Sequence, residues 1–168
     1  MKNIYILVIL ITLNIHSQNV YFSTGIDVKN ALIGSKPTNN NSALDVTIQF
    51  GMIEGNTEVV IGYEKFETIY FDKFWFGVGH HFNVNENIKI IPSLEPSLIG
   101  RWGDTWQTTS SHLSIGGSLA LRYKINYHLS IELQCNALPR TDLSARYPTI
   151  NPNPPIIFSN YLKILYRL

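Results

Sequence analysis

The chain has 168 residues, of which 45% are hydrophobic and 15% charged, with a formal net charge of +1. A chain of this length makes one domain, large enough to close a small barrel, and a near-neutral chain without a basic stripe gives no electrostatic footprint for nucleic acid. The single cysteine, Cys135, excludes an internal disulfide.

The first 18 residues combine Lys2, an apolar run from Ile4 to Leu13 and a polar close at His16-Ser17-Gln18. The run is too short to cross a bilayer comfortably as a helix and has the three-part pattern of a secretory signal. We expect cleavage after Ser17 or so, a mature barrel domain over 19–168, and no lipid anchor at the cleavage site, because no cysteine follows.

From there apolar and polar residues alternate, the period of a strand with one face in each environment. Val20, Phe22, Ile26 and Val28 oppose Tyr21, Ser23, Gly25, Asp27 and Lys29, and the polar loop ALIGSKPTNNNS follows. Leu44, Val46, Ile48, Phe50 and Met52 then oppose Asp45, Thr47, Gln49 and Gly51 up to a short turn at Glu54-Gly55-Asn56. A third strand sets Val59, Ile61 and Tyr63 against Glu58, Gly62 and Glu64. A fourth sets Phe74, Phe76, Val78 and Phe82 against Lys73, Trp75, Gly77, Gly79 and His81, and Asn85-Glu86-Asn87 turns the chain. The fifth, with Ile88, Ile90, Leu94 and Leu98 against Lys89, Ser93, Glu95, Ser97 and Arg101, contains Pro92 and Pro96, so a bulge or break is expected there.

After GDTWQTTSS comes the longest regular stretch. On one parity lie His112, Ser114, Gly116, Ser118, Ala120, Arg122 and Lys124, with Leu113, Ile115, Leu119, Leu121 and Tyr123 on the other. The alternation resumes past Asn126-Tyr127, with His128, Ser130, Glu132, Gln134 and Asn136 against Leu129, Ile131, Leu133, Cys135 and Ala137. A Pro-rich loop, PRTDLSARYPTINPNPP, leads to a last strand with Phe158, Leu162, Ile164, Tyr166 and Leu168 against Ser159, Tyr161, Lys163, Leu165 and Arg167. No helical period is expected outside the signal segment.

The pattern predicts an all-β, eight-stranded antiparallel up-and-down transmembrane barrel. Connections alternate between tight turns and longer polar loops, so one rim is trim and the other looped, the asymmetry of outer-membrane barrels. The charges lie almost entirely on the polar parity, nearly matched in sign, as a narrow lumen requires. Aromatics on the apolar parity (Phe22, Phe50, Phe82, Tyr123 and Tyr166 toward the trim rim; Phe74, Trp102 and Phe158 toward the looped one) form two girdles.

In this architecture the chain resembles the small eight-stranded outer-membrane barrels of Gram-negative bacteria. The resemblance implies residence in the outer membrane, with membrane lipids and the barrel-assembly machinery as partners and an extracellular ligand of unknown identity. Members of that group often end in Phe, where this chain ends in Leu168.

For chemistry, His112 and Ser114 share one strand face and Glu132 lies on the next strand. Outer-membrane lipid A deacylases are similar in using a His-x-Ser pair and a Glu. In that family an Asn follows the Ser, whereas Ile115 stands here, and folding at Asn126 sets Glu132 roughly opposite Ala120, away from His112. We therefore read no catalytic residues, no metal site and no cofactor. His80 and His81, adjacent on a strand, point to opposite faces and cannot share an ion. Gly77-Val78-Gly79 is read as thinning the wall or making room for Trp75.

Glu64, Glu95, Arg122, Glu132 and Lys163 are expected to form a salt-bridged network that plugs the lumen. Trp106, Arg140, Arg146 and Tyr147 are the exposed-looking loop residues expected to carry any binding. The reading is a structural or surface-binding outer-membrane barrel without an open pore. A lipid A deacylase-like enzyme, a soluble periplasmic barrel carrying a hydrophobic ligand, and a narrow channel are the alternatives.

Overall fold

The computed structural model describes residues 19–33, 44–66, 71–101, 110–146 and 153–168. The signal segment, the Asn run, Trp102, Trp106 and Tyr147 lie outside the described residues, as does the side chain of Arg146.

The strands are β1 (Asn19–Asp27), β2 (Asp45–Glu54), β3 (Thr57–Phe66), β4 (Phe71–His80, continued by Phe82–Asn83), β5 (Ile88–Arg101), β6 (Ser110–Lys124), β7 (Leu129–Pro139) and β8 (Ile156–Arg167). Each pairs antiparallel with the next, and β8 returns to β1, closing an up-and-down barrel of eight strands. Stepping across the sheet from Asn19, the partners are Ile53, Glu58, Gly79, Ser93, Ser118, Asn136 and Ser159. Ser159 comes level with Lys29, so the register closes ten residues along from its start. With ordinary strand rise and spacing this stagger tilts the strands by roughly 40° and gives a ten-residue strand an axial height of about 25 Å, enough for a hydrocarbon core.

Tight turns gather at one end. Gly55 takes φ 59°, which a two-residue hairpin requires and which glycine adopts without a Cβ clash. The other two use asparagine in place of glycine. Asn85 Oδ1 accepts from the backbone N–H groups of Asn87 and Ile88 at 2.9 and 2.8 Å, and Asn126 Oδ1 from those of His128 and Leu129 at 2.9 and 2.8 Å. At the opposite rim two short helices replace what the sequence pattern suggests is strand end and loop: α1 (Val28–Ile33) and α2 (Thr141–Arg146). Asp27 Oδ1 caps the first by accepting from Asn30 N–H at 2.9 Å, which draws Val28 and Lys29 out of the strand. Six-residue helices carry too little periodicity to show in the pattern.

Pro92 and Pro96 cause no bulge. The pairing between β4 and β5 keeps one register from Phe71↔Arg101 to Asn83↔Lys89. It lapses only where Phe76 and Gly77 face Pro96 and Glu95, and where His80 and His81 face Pro92 and Ile91. Both prolines, four residues apart, withhold their missing donors from the same neighbour, while the ladder to β6 runs unbroken through them. His81 N–H instead donates to Asn56 O at 2.7 Å.

The parity resolves as inside and outside. Glu95, Arg122 and Lys163 are buried within the barrel. The convex surface carries Ile48, Ile61, Phe76, Leu94, Leu119, Leu133, Ile164 and their like, with Leu113 71% and Ile115 60% exposed. An apolar surface this continuous is far larger than a soluble monomer leaves in water, and lipid is the solvent that suits it. Phe82, Tyr123 and Tyr166 are exposed on it, as are Phe74 and Phe158, while Phe22 packs against Phe50 with ring centroids 5.1 Å apart.

Candidate functional site

The barrel interior is the most highly organised part of the molecule. Register places Arg122 directly opposite Glu132, and Glu132 directly opposite Lys163, so the three stand in a row across β6, β7 and β8. Glu132 therefore faces Arg122, and Gln134 faces Ala120, two residues from the pairing that the turn at Asn126 suggested. The turn is longer than a two-residue hairpin because Asn126 spends its side chain on closing it.

Glu58 completes the row from the far wall. Arg122 Nε donates to Glu132 Oε2 at 2.8 Å, and Nη2 lies 2.6 Å from the same oxygen. Nη1 and Nη2 donate to Glu58 Oε2 and Oε1 at 2.7 and 3.1 Å, the two-pronged geometry that guanidinium and carboxylate share. Tyr21 donates its hydroxyl to Glu58 Oε1 at 2.6 Å and lies beneath the guanidinium, and His81 Nε2 is 2.7 Å from Glu58 Oε2. Tyr21 can lie across the lumen because Gly51 stands opposite: a Cβ there would come within 2.1 Å of its ring. Gly62 makes the same room for Trp75, at 2.1 Å, the role that the sequence suggested for Gly77 and Gly79.

Above this cluster sits a second. Lys163, 1% exposed, donates to Gln49 Oε1 at 2.8 Å and to Gln134 Oε1, and lies 3.7 Å from Glu132 Oε1. Glu95 accepts from Ser118 Oγ, Gln134 Nε2 and Asn136 Nδ2 at 2.6, 2.9 and 2.6 Å. Glu64 pairs with Lys73 at 2.6 Å. Between the clusters remains a void of about 20 Å³, bordered by Glu58, Glu95 and Glu132, the size of one water. The structure thus joins Arg122, Glu132 and Lys163 directly, holds Glu95 through neutral amides and a hydroxyl, and gives Glu64 a separate partner. Glu58, Lys73, His81 and Gln49 also belong to these clusters. All four share the polar parity in sequence, but only the closed register shows that Glu58 reaches Arg122 from the other side.

The remaining candidates fall elsewhere. Ser114 is buried and donates its hydroxyl to Pro139 O at 2.6 Å, and His112 is paired in register with Ile99 across β5. Glu132 is committed to Arg122, so the three do not form a nucleophile, a base and an orienting acid. Arg140 is not an exposed loop residue. It is buried, with Nε and Nη2 donating to Asp142 Oδ1 and Oδ2 at 2.7 Å each, and its guanidinium lies 4.5 Å from the centre of the Phe71 ring. Among the described residues no cluster of three or more His, Cys, Asp or Glu side chains could hold a metal ion.

No family model matches the chain, and no curated protein matches it in sequence. Its shape has clear counterparts among solved structures. It is similar to the N-terminal β-barrel domain of Pseudomonas aeruginosa OprF, at 10% identity and a TM-score of 0.60, over 89% of this chain and 97% of that one. It is similar to the Yersinia pestis outer membrane protein Ail in a phospholipid bilayer nanodisc, at 10% identity and a TM-score of 0.57, over 90% and 99%. A de novo designed transmembrane β-barrel matches at 11% identity and a TM-score of 0.54, over 90% and 94%. Together with the lipid-facing belt, these likenesses define the fold: an eight-stranded transmembrane β-barrel of the kind seen in small outer-membrane proteins.

Proposed function

We propose that this protein is a non-catalytic scaffold of the outer membrane, delivered by a cleaved signal over residues 1–18, closed to solutes along its axis, and presenting its looped rim to the exterior to bind a ligand there. The observation that carries this reading is the cluster of Glu58, Arg122 and Glu132, whose contacts of 2.6–3.1 Å tie opposite walls of the lumen together. An eight-stranded interior is just wide enough to be filled by side chains, and these side chains fill it with paired charges. Commitment of Ser114 to a backbone carbonyl and of Glu132 to Arg122 favours a non-catalytic interior. Assembly in the membrane by the barrel-assembly machinery belongs to the same reading.

Two measurements on the intact protein test it. After a carbonate wash it should remain with membranes and run at different mobility before and after boiling; recovery in the soluble fraction would refute membrane residence and favour a periplasmic carrier. In planar bilayers it should give no unitary conductance, and well-resolved steps would refute the plug.

A further inference from the structure

Inside the looped mouth, above the Glu64–Lys73 pair, lies a cavity of about 280 Å³, at the small end of ligand pockets (about 300–1,000 Å³). Asp27, Asp45, Glu64 and Asn136 line it, with the rings of Phe66 and Tyr161. Its buried cations each already hold a carboxylate. Lys73 is held by Glu64 at 2.6 Å, Arg140 by Asp142 at 2.7 Å, and Asn30 Nδ2 donates to Asp45 Oδ2 at 3.1 Å. Lys29 stands exposed at the lip, where solvent screens it.

Its open valences are acceptors. Asp45 is 2% exposed, and its Oδ1 has no hydrogen-bond partner. Asn136 is also buried; donation from Nδ2 to Glu95 fixes its amide and leaves Oδ1 without a partner. Buried acceptors left unpaired are costly, and at Asp45 the repulsion from Glu64 and Asp27 is only partly offset by Lys73. What relieves both problems is a group with positive charge and several donors. A primary ammonium has three, and aromatic rings such as Phe66 and Tyr161 in the lining are compatible with a cation. A bare divalent ion fits less well, since no three acidic or imidazole side chains among the described residues converge on one point.

We propose that this vestibule binds a primary ammonium group carried on a slender apolar body, with Asp45 as the principal acceptor and Asn136 as the second. The inference rests on the looped rim being the binding face. It does not depend on the lumen plug, so the two can fail separately.

The test uses the folded full chain in phosphatidylcholine nanodiscs, titrated calorimetrically with 1,6-diaminohexane, with hexane-1,6-diol as the neutral isostere and magnesium chloride as the metal control. The diamine should bind saturably at one site per chain and the diol should not. Asp45→Asn, which keeps an acceptor for Asn30, should weaken binding about tenfold or more through loss of the charge-assisted contact, while Glu54→Gln at the opposite rim should leave it unchanged. No saturable binding, equal affinity in Asp45→Asn, equal binding of the diol, or stoichiometric magnesium binding that displaces the diamine would each overturn the proposal. Should Asp45→Asn fail to fold, amide shifts in the unaltered protein decide: changes centred on Asp45 and Asn136 support the site, and changes at the trim rim or spread evenly refute it. A protein that resists carbonate, does not conduct and does not bind the diamine would keep the scaffold reading and lose only the ligand.

Discussion

Substituting Arg122 by methionine keeps most of the side-chain volume and removes the charge that joins two walls of the barrel. Glu58 would retain Tyr21 and His81 as partners, and Glu132 would retain Lys163 at 3.7 Å, but the four close contacts of the guanidinium would go. Removing one partner of a buried pair costs about 3–5 kcal/mol, because an uncompensated charge stays behind. The retained partners keep the loss within that range rather than doubling it for two carboxylates. Urea unfolding from lipid vesicles, followed by tryptophan emission and by mobility before boiling, measures the difference. The double variant Glu58→Gln, Arg122→Met leaves Glu132 on Lys163 and no unpaired carboxylate in the cluster, and should recover most of the loss. A single variant within 1 kcal/mol of the unaltered protein, or a double variant no better than the single, would show that the guanidinium does not bind the walls together.

Other substitutions probe the remaining parts. Gly51→Ala should cost about 1–3 kcal/mol by overpacking against the Tyr21 ring, and much less in a Tyr21→Ala background; equal costs in both would disprove the contact. Leu133→Arg, at the middle of β7 on the convex face, should cost about 2–4 kcal/mol in vesicles, against about 0–1 for Ile125→Arg at the trim rim; equal costs would argue against a lipid-facing belt. Ser114→Ala should lose about 1 kcal/mol through its bond to Pro139 O and leave lipid A acylation in cells unchanged; a change in acylation would revive the deacylase reading.

The strand count, the two faces and the trim rim were legible because a strand's period of two survives without any knowledge of its neighbours. Val46, Ile48 and Phe50 against Asp45, Thr47 and Gln49 is a local fact. Partnership across the lumen is not local. Glu58 and Arg122 are 64 residues apart, and their meeting depends on every register between them. An error of two at Asn126, where a side chain replaces a glycine in the turn, moved Glu132 from Arg122 to Ala120. Burial of Arg140 is hidden for a different reason: its proline and threonine neighbours have the composition of an open loop, while Asp142, two residues on, folds back to bind it. Missing donors at Pro92 and Pro96 pointed to a disturbance at the right place but of the wrong kind, since a ladder can drop bonds on one side without shifting register.

The order of the layers along the lumen narrows where a ligand can act. Toward the trim end, Tyr21, Ile53, Val60 and Leu165 form an apolar cluster beside the Arg122 site, and toward the looped end Phe66, Phe71, Ile99 and Leu138 form another. The carboxylates between them are each held: Glu58 and Glu132 on Arg122, Glu132 also on Lys163, Glu64 on Lys73, Glu95 on neutral donors. A plug whose carboxylates are all held has little to offer a passing ion, and displacing any member would strand its partner. Asp45 and Asn136 differ in kind, since their open acceptors lie above the plug on the side where the connections are long. If the barrel recognises anything through its interior, it does so from that mouth.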